Sequence, residues 1–424
     1  MHIRCSRNPY TAHAQRDALA FRSAGAACTP CRALLLTGIL ALTPLLAAPA
    51  SAQTAALRRY ETKYYTIFTD LDADAVREAT LRITHMAEEY QRRTRGFAGE
   101  IRERLPFYLF NKAQDYVAAG APAGTAGVFM GDRLMAIAGE DAGGHTWHTV
   151  QHEGFHQFVH AVIKGDIPIW ANEGLAEYFG ESVWTGDSFV SGVIPPQRLA
   201  QLRRRIREGS LKSIEEMMLL SHAMWNAEGA LANYDLAWSM VHFLAHAEDG
   251  KYQKPFAGFL RGVSGGDKWP EAWRRNFGSD VQSFQQRWRQ YWEGLEPDPT
   301  RDLYARASAA TIASFLGRTQ TQRQFFKDWG EFETAAKDGR VTVGKKDWLP
   351  PALLDEALAR TRRIGDWSLE RRGGTTRVLC RLDDGTQLVG SYRLKAGRFD
   401  SADVKVTPAP KAPPKPATPN TPNP

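Results

Sequence analysis

Residues 152–156 read His152-Glu153-Gly154-Phe155-His156, and residues 170–179 read Trp170-Ala171-Asn172-Glu173-Gly174-Leu175-Ala176-Glu177-Tyr178-Phe179. The first stretch predicts a helix running to Val162. At 3.6 residues per turn, histidines four apart share one face, about 6 Å apart along the axis. Two imidazoles so placed suit a single tetrahedral zinc ion at roughly 2.0–2.1 Å each. Glu153 adjoins a ligand in the chain, where such a helix lets it reach water at the metal rather than the metal itself.

A catalytic zinc takes a third protein ligand, and the second stretch offers one. Glu173 and Glu177 are again four apart and share a helical face. Glu173 is expected as the third ligand. Glu177 is then placed to accept a hydrogen bond from the far ring nitrogen of a ligating histidine, which fixes that ring's tautomer.

The pattern HEGFH…WANEGLAEYF resembles the gluzincin metallopeptidases, the clan of thermolysin and the zinc aminopeptidases, and most of all their reduced, peptidase MA-like bacterial relatives. The resemblance covers mainly residues 125–245. It implies an α+β catalytic domain with a small mixed sheet and a helical half. It also implies one Zn2+ per chain on His152, His156 and Glu173, with Glu153 as general base, Glu177 as outer hydrogen-bond partner, and a peptide or protein substrate. The gap between the ligand pairs is a couple of residues shorter than in the aminopeptidases, and a tighter loop at Lys164–Ile169 can absorb the difference. Residues 233–244, from Asn233 and Tyr234 to Leu244, resemble the helix on which those enzymes carry a catalytic tyrosine. Tyr234 would donate to the oxyanion that develops at the peptide carbonyl; the plainer alternative is a half-buried helix aromatic. Gluzincins also place an edge strand before the zinc helix, along which substrate pairs. Where the aminopeptidases carry Gly-x-Met-Glu-Asn on that strand, this chain has Gly127-Val128-Phe129-Met130-Gly131. It lacks the glutamate that would hold a free amino end, so endopeptidase action is expected.

Ahead of this region, residues 1–52 read as a secretory leader. Arg4, Arg7, Arg16, Arg22 and Arg32 precede an apolar run over 33–48, and Ala50-Ser51-Ala52 offers a small-x-small cleavage site. The run is short and interrupted by Pro44, so a stable membrane span is not expected in the mature chain. Export to a bacterial periplasm or beyond is. Of 54 basic and 47 acidic side chains, those five arginines and Asp17 lie in the leader, which leaves 49 against 46. So small an excess argues against nucleic-acid binding. Three of the four cysteines also fall there, and the remaining Cys380 is expected to pack as a small hydrophobe.

Along the mature chain, 60–70 reads as a strand, and Asp72 or Asp70 as the cap of a helix marked by Val76, Ala79, Ile83, Met86 and Tyr90. Residues 105–110 read as a strand, Asn111 as the cap of a short helix to about Ala119, and 127–138 as one or two strands turning at Gly131-Asp132. Helices are expected over 231–246, 252–262 and 281–295. The metallopeptidase unit is expected to span 53–297, with Glu296-Pro297-Asp298-Pro299 as a boundary. An accessory module over 298–406 combines helices (301–316 and 350–364) with an antiparallel sheet over 367–406 that turns at Asp383–Thr386. Residues 407–424 form a proline-rich unstructured tail. His148 and His160 extend the histidine ladder, but no glutamate follows the first histidine of either alternative pair, so both read as helix-face residues. The basic positions Arg198, Arg203, Arg204, Arg205, Arg207 and Lys212 read as a solvated helix face, or as a strip for an anionic envelope polymer. The competing functional class is a catalytically silent, zinc-stabilised binding or scaffold protein that docks on envelope components through its C-terminal module.

Overall fold

The computed structural model describes residues 57–138, 146–227 and 230–409. The expected leader, Glu140, Asp141, His145 and the tail from 410 onward lie outside these. The architecture is α+β. A five-stranded mixed sheet runs in the order β1-β2-β3-β5-β4, from Arg58–Glu61 (β1), Tyr65–Thr69 (β2), Leu105–Phe110 (β3), Gly127–Phe129 (β4) and Leu134–Ile137 (β5). β2, β3 and β5 are mutually parallel, and β1 and β4 close the two edges antiparallel.

Residues 60–70 are therefore not one strand. Thr62 turns the chain, its Oγ1 accepting from the amides of Tyr64 and Tyr65, and a hairpin results. Asp72 caps helix α1 (Ala73–Thr94) by accepting from the amides of Asp74 and Ala75. Asp70 instead accepts from the Asn111 amide. The short helix α2 (Ala113–Ala118) has Lys112 rather than Asn111 at its N-cap.

One face of the sheet packs on α1 and on the long helix α3 (Thr146–Val162) through Ile67, Phe107, Leu109, Leu134, Ile83 and Val150. Gly154, inside α3, is what lets the helix sit down. A Cβ there would stand 3.2 Å from Tyr90 Oη and 3.7 Å from Leu134. The Tyr90 hydroxyl donates to the Gln151 carbonyl from the same side. Helix α4 (Ile169–Gly180) packs against α3 and against α8 (Ala230–Gly250). At Gly174 a Cβ would meet the Ala237 carbonyl oxygen at 2.4 Å, so only glycine permits that approach of α4 to α8. Gln151 Nε2 fastens the far end of α4 by donating to the carbonyls of Phe179, Gly180 and Ser182 at 2.9–3.1 Å.

Between α4 and α8 come the hairpin Val183–Trp184 (β6) and Phe189–Val190 (β7), and helices α5 (Pro196–Glu208), α6 (Ile214–Met218) and α7 (His222–Trp225). Helices α9 (Gln253–Ser264), α10 (Trp269–Phe277) and α11 (Val281–Gly294) follow α8. The C-terminal part comprises α12 (Arg301–Thr321), α13 (Trp329–Lys337), α14 (Pro351–Thr361) and the antiparallel sheet β11-β10-β9-β8. Its strands are Asp366–Arg372 (β8), Thr375–Arg381 (β9), Gln387–Lys395 (β10) and Arg398–Thr407 (β11). Cys380 is buried in that sheet with its thiol free. α12 is buried over nearly its whole circumference by the sheet, by α14 and by the β6–β7 hairpin. Arg318 and Ser314 of α12 grip Asp187 in that hairpin, Arg318 Nη2 lying 2.6 Å from Asp187 Oδ1. No helix of the described residues is long and apolar enough to cross a membrane.

Behind α4 lie two histidines of α8, His242 buried and His246 half-buried, neither paired with a carboxylate. His242 Nε2 donates to the Gly192 carbonyl at 3.0 Å, and His246 Nε2 lies 2.9 Å from the Tyr178 hydroxyl. Burial lowers their pKa values to about 4 and about 3. The unfolded chain takes up these protons near pH 6.5, so their stabilisation is complete above that pH and is lost as pH falls toward 4. For His242 alone this amounts to about 3 kcal/mol across that interval. In urea unfolding at pH 7.5 and pH 5, His242→Phe is expected to lose less stability on acidification than the wild type, by about one proton's worth of slope. Parallel pH dependences would remove His242 from this role.

Candidate metal centre

The ligands expected from sequence converge. His152 and His156 project from one face of α3, and Glu173 faces them from α4. The two Nε2 atoms are 3.1 Å apart, and Glu173 Oε2 lies 3.4 Å from that of His152 and 3.5 Å from that of His156. These three residues can hold a metal ion. Tetrahedral coordination with bonds of about 2.0–2.1 Å has ligand–ligand edges of about 3.3–3.4 Å. The observed triangle fits that requirement.

The outer contacts fix both rings. His152 Nδ1 lies 3.0 Å from Glu177 Oε1, as expected, so its Nε2 is turned toward the centre. His156 Nδ1 is 3.1 Å from Asn172 Oδ1, a partner within the second motif to which helical spacing alone assigns no role. Glu153 stands apart from the triangle and accepts the Phe129 amide at Oε2, 2.9 Å away, which sets its carboxylate beside the edge strand β4. The structure brings Tyr234 alongside: its ring centre is 6.4 Å from that of His152, and it packs edge-on against Trp225 at 5.4 Å.

Electrostatics distinguish the groups. Burial opposes charge on His152, but Glu173 and Glu177 outweigh it and raise its pKa to about 10. His156 also ends above the usual histidine value, its burial outweighed chiefly by Glu173. Burial likewise opposes charge on Glu173, yet His156 and His152 draw it down to about 2. Glu177 is driven well below the carboxylate range despite its burial, by Arg198 and His152. Glu153 goes the other way, since its burial outweighs the pull of His152 and His156 and raises it. The two Nε2 atoms, 3.1 Å apart, are too close to each carry a proton aimed at the other, and one divalent cation facing both and the Glu173 carboxylate would satisfy all three groups.

Arg198 is the main correction. Its helix reads from sequence as a solvated basic face, but its side chain is only 8% exposed and touches three carboxylates. Arg203 is also engaged, donating to the carbonyls of Trp292 and Glu293, and Arg205 pairs with Asp235 at 2.9 Å. Of the outlying histidines, His160 is exposed against Phe129, and the His148 ring packs on Gly180.

A protein-family profile described as "Protein of unknown function (DUF1570)" matches residues 146–264. That span runs from the first residue of α3 to the last of α9 and contains His152, His156 and Glu173. Comparison with curated proteins gives no match.

Proposed function

We propose that this chain is an exported, zinc-dependent peptidase of the gluzincin kind with a thermolysin-like catalytic fold, cleaving peptides or proteins internally. The observation that carries the reading is the triangle of His152, His156 and Glu173 with Glu153 held beside it but outside it. A purely structural site has no use for that separate base.

His152, His156 and Glu173 would hold the zinc. When bound, it supplies Lewis acidity that makes water acidic enough to deprotonate near neutral pH. Substrate would lie along β4, at the edge of the sheet. Glu153 takes the proton of the attacking water at Oε1, because Oε2 is engaged by the Phe129 amide. Its raised pKa suits a group that must first accept and then release that proton. The Tyr234 hydroxyl donates to the carbonyl oxygen as negative charge builds there. The carbon–nitrogen bond then breaks, and Glu153 delivers the proton to the leaving amine.

The test is a library of unstructured peptides, incubated with the zinc-loaded protein and analysed by mass spectrometry. Internal cleavage is expected, abolished by 1,10-phenanthroline and restored by added zinc. Zinc-loaded protein that cleaves nothing would leave the silent binding role in its place. Cleavage indifferent to chelator would remove the metal from the chemistry.

A further inference from the structure

Helix α5 gives the metal centre no ligand, yet it reaches the centre through one side chain. Arg198 Nη2 lies 2.7 Å from Glu177 Oε2, Nη1 lies 2.7 Å from Glu181 Oε1, and Nε is 3.6 Å from Asp235 Oδ1. The guanidinium also stacks over Trp238, 4.4 Å from the ring centre. One planar fork therefore spans a carboxylate of α4, the carboxylate of its C-cap residue one turn on, and a third from α8.

The other end of the contact chain is the metal ligand. Glu177 uses Oε1 for His152 and Oε2 for Arg198, so the guanidinium sets the plane in which the carboxylate meets the imidazole. Asp235 is anchored in turn by Arg205 and by Gln201 Nε2, each 2.9 Å from Oδ2, and it adjoins Tyr234 in the chain. Asp235, Arg198, Glu177 and His152 thus form a continuous line from the tyrosine-bearing helix to the ligand.

Resting on the zinc reading above, we propose that Arg198 is the positioning residue of this centre. It orients Glu177 against His152 and locks the ligand helix α4 to the Tyr234-bearing helix α8. The role requires a guanidinium, because an ammonium is a point charge that cannot fork two carboxylates while keeping a planar stack on Trp238. Outer partners of ligating histidines commonly govern metal affinity by 10–100-fold.

The test measures zinc affinity of the full chain by competition with a chromophoric chelator, together with the visible spectrum of the cobalt-substituted protein. Arg198→Met is expected to weaken zinc binding about 10–100-fold and to perturb the cobalt bands. Glu177→Gln is expected to do the same, and the double variant to be no worse than the weaker single, since both act through one contact. Arg203→Met, on the same helix but bonded to the carbonyls ending α11, is expected to bind zinc like the wild type. Should Arg198→Met fail to fold, Arg198→Lys keeps a charge in place and is still expected to lose affinity and alter the cobalt spectrum. Wild-type zinc affinity and cobalt bands in a folded Arg198→Met or Arg198→Lys would overturn the proposal while leaving the zinc reading intact. A wild-type protein that binds no zinc would overturn both.

Discussion

Glu153→Gln is expected to keep its zinc and its fold while losing about 10³–10⁴ in kcat/KM, equivalent to about 4–5.5 kcal/mol of transition-state stabilisation. The substitution is nearly isosteric, and the amide oxygen can still accept the Phe129 N–H that now bonds Glu153 Oε2. The ligand triangle does not include Glu153, so metal content should match the wild type. What disappears is the ability to take a proton and give it back, because an amide has no basic oxygen at neutral pH. The measurement is kcat/KM on a peptide substrate beside zinc content by atomic emission. Undiminished turnover in a zinc-replete variant would mean that Glu153 is not the base.

Glu173→Ala acts on the metal itself. It removes one of the three proposed ligands and also the buried anion facing His152 and His156. Two imidazoles alone make a poor site, and apparent zinc affinity is expected to fall by about 10³-fold or more, beyond the range seen for outer contacts. Glu177 cannot stand in, since it is committed to His152 Nδ1 and Arg198. The variant should therefore lose zinc on dialysis where Glu153→Gln does not. Stoichiometric zinc retained at wild-type affinity would place the third ligand elsewhere.

Much of the centre was legible because helical spacing is rigid. His152 and His156 had to share a face, as did Glu173 and Glu177, and the structure brings these four together. What spacing did not show was how two helices approach closely enough to join their ligands, although the means lay within the motifs as Gly154 and Gly174. Arg198 escaped because a run of arginines on a helix normally marks a wetted face. A signal existed nonetheless: Glu177 sits in a helix whose buried residues, Glu173 apart, carry no charge, and a second carboxylate in such surroundings requires a cation.

The elements show the same pattern. The β4–β5 turn and the Asp383–Thr386 turn follow from their glycines and aspartates, and both form. The β1–β2 hairpin was read as one strand because aromatic and β-branched residues run on either side of Thr62. Helix α13 passed unread despite Asp328 capping the Glu331 amide. Helix α10 passed likewise, despite a proline in its first turn.

The grip of α12 on the β6–β7 hairpin bears on the order of assembly. Ribosomes deliver the chain amino end first, so the ligand helix and its hairpin emerge more than a hundred residues before Ser314 and Arg318. Until those arrive, the Asp187 carboxylate lacks both partners, while Trp184 of the same hairpin already has Arg82 of α1 to pack on. The grip on this hairpin is thus completed only after the C-terminal part of the polypeptide has been made, and a chain cut short before α12 would hold the hairpin from one side alone.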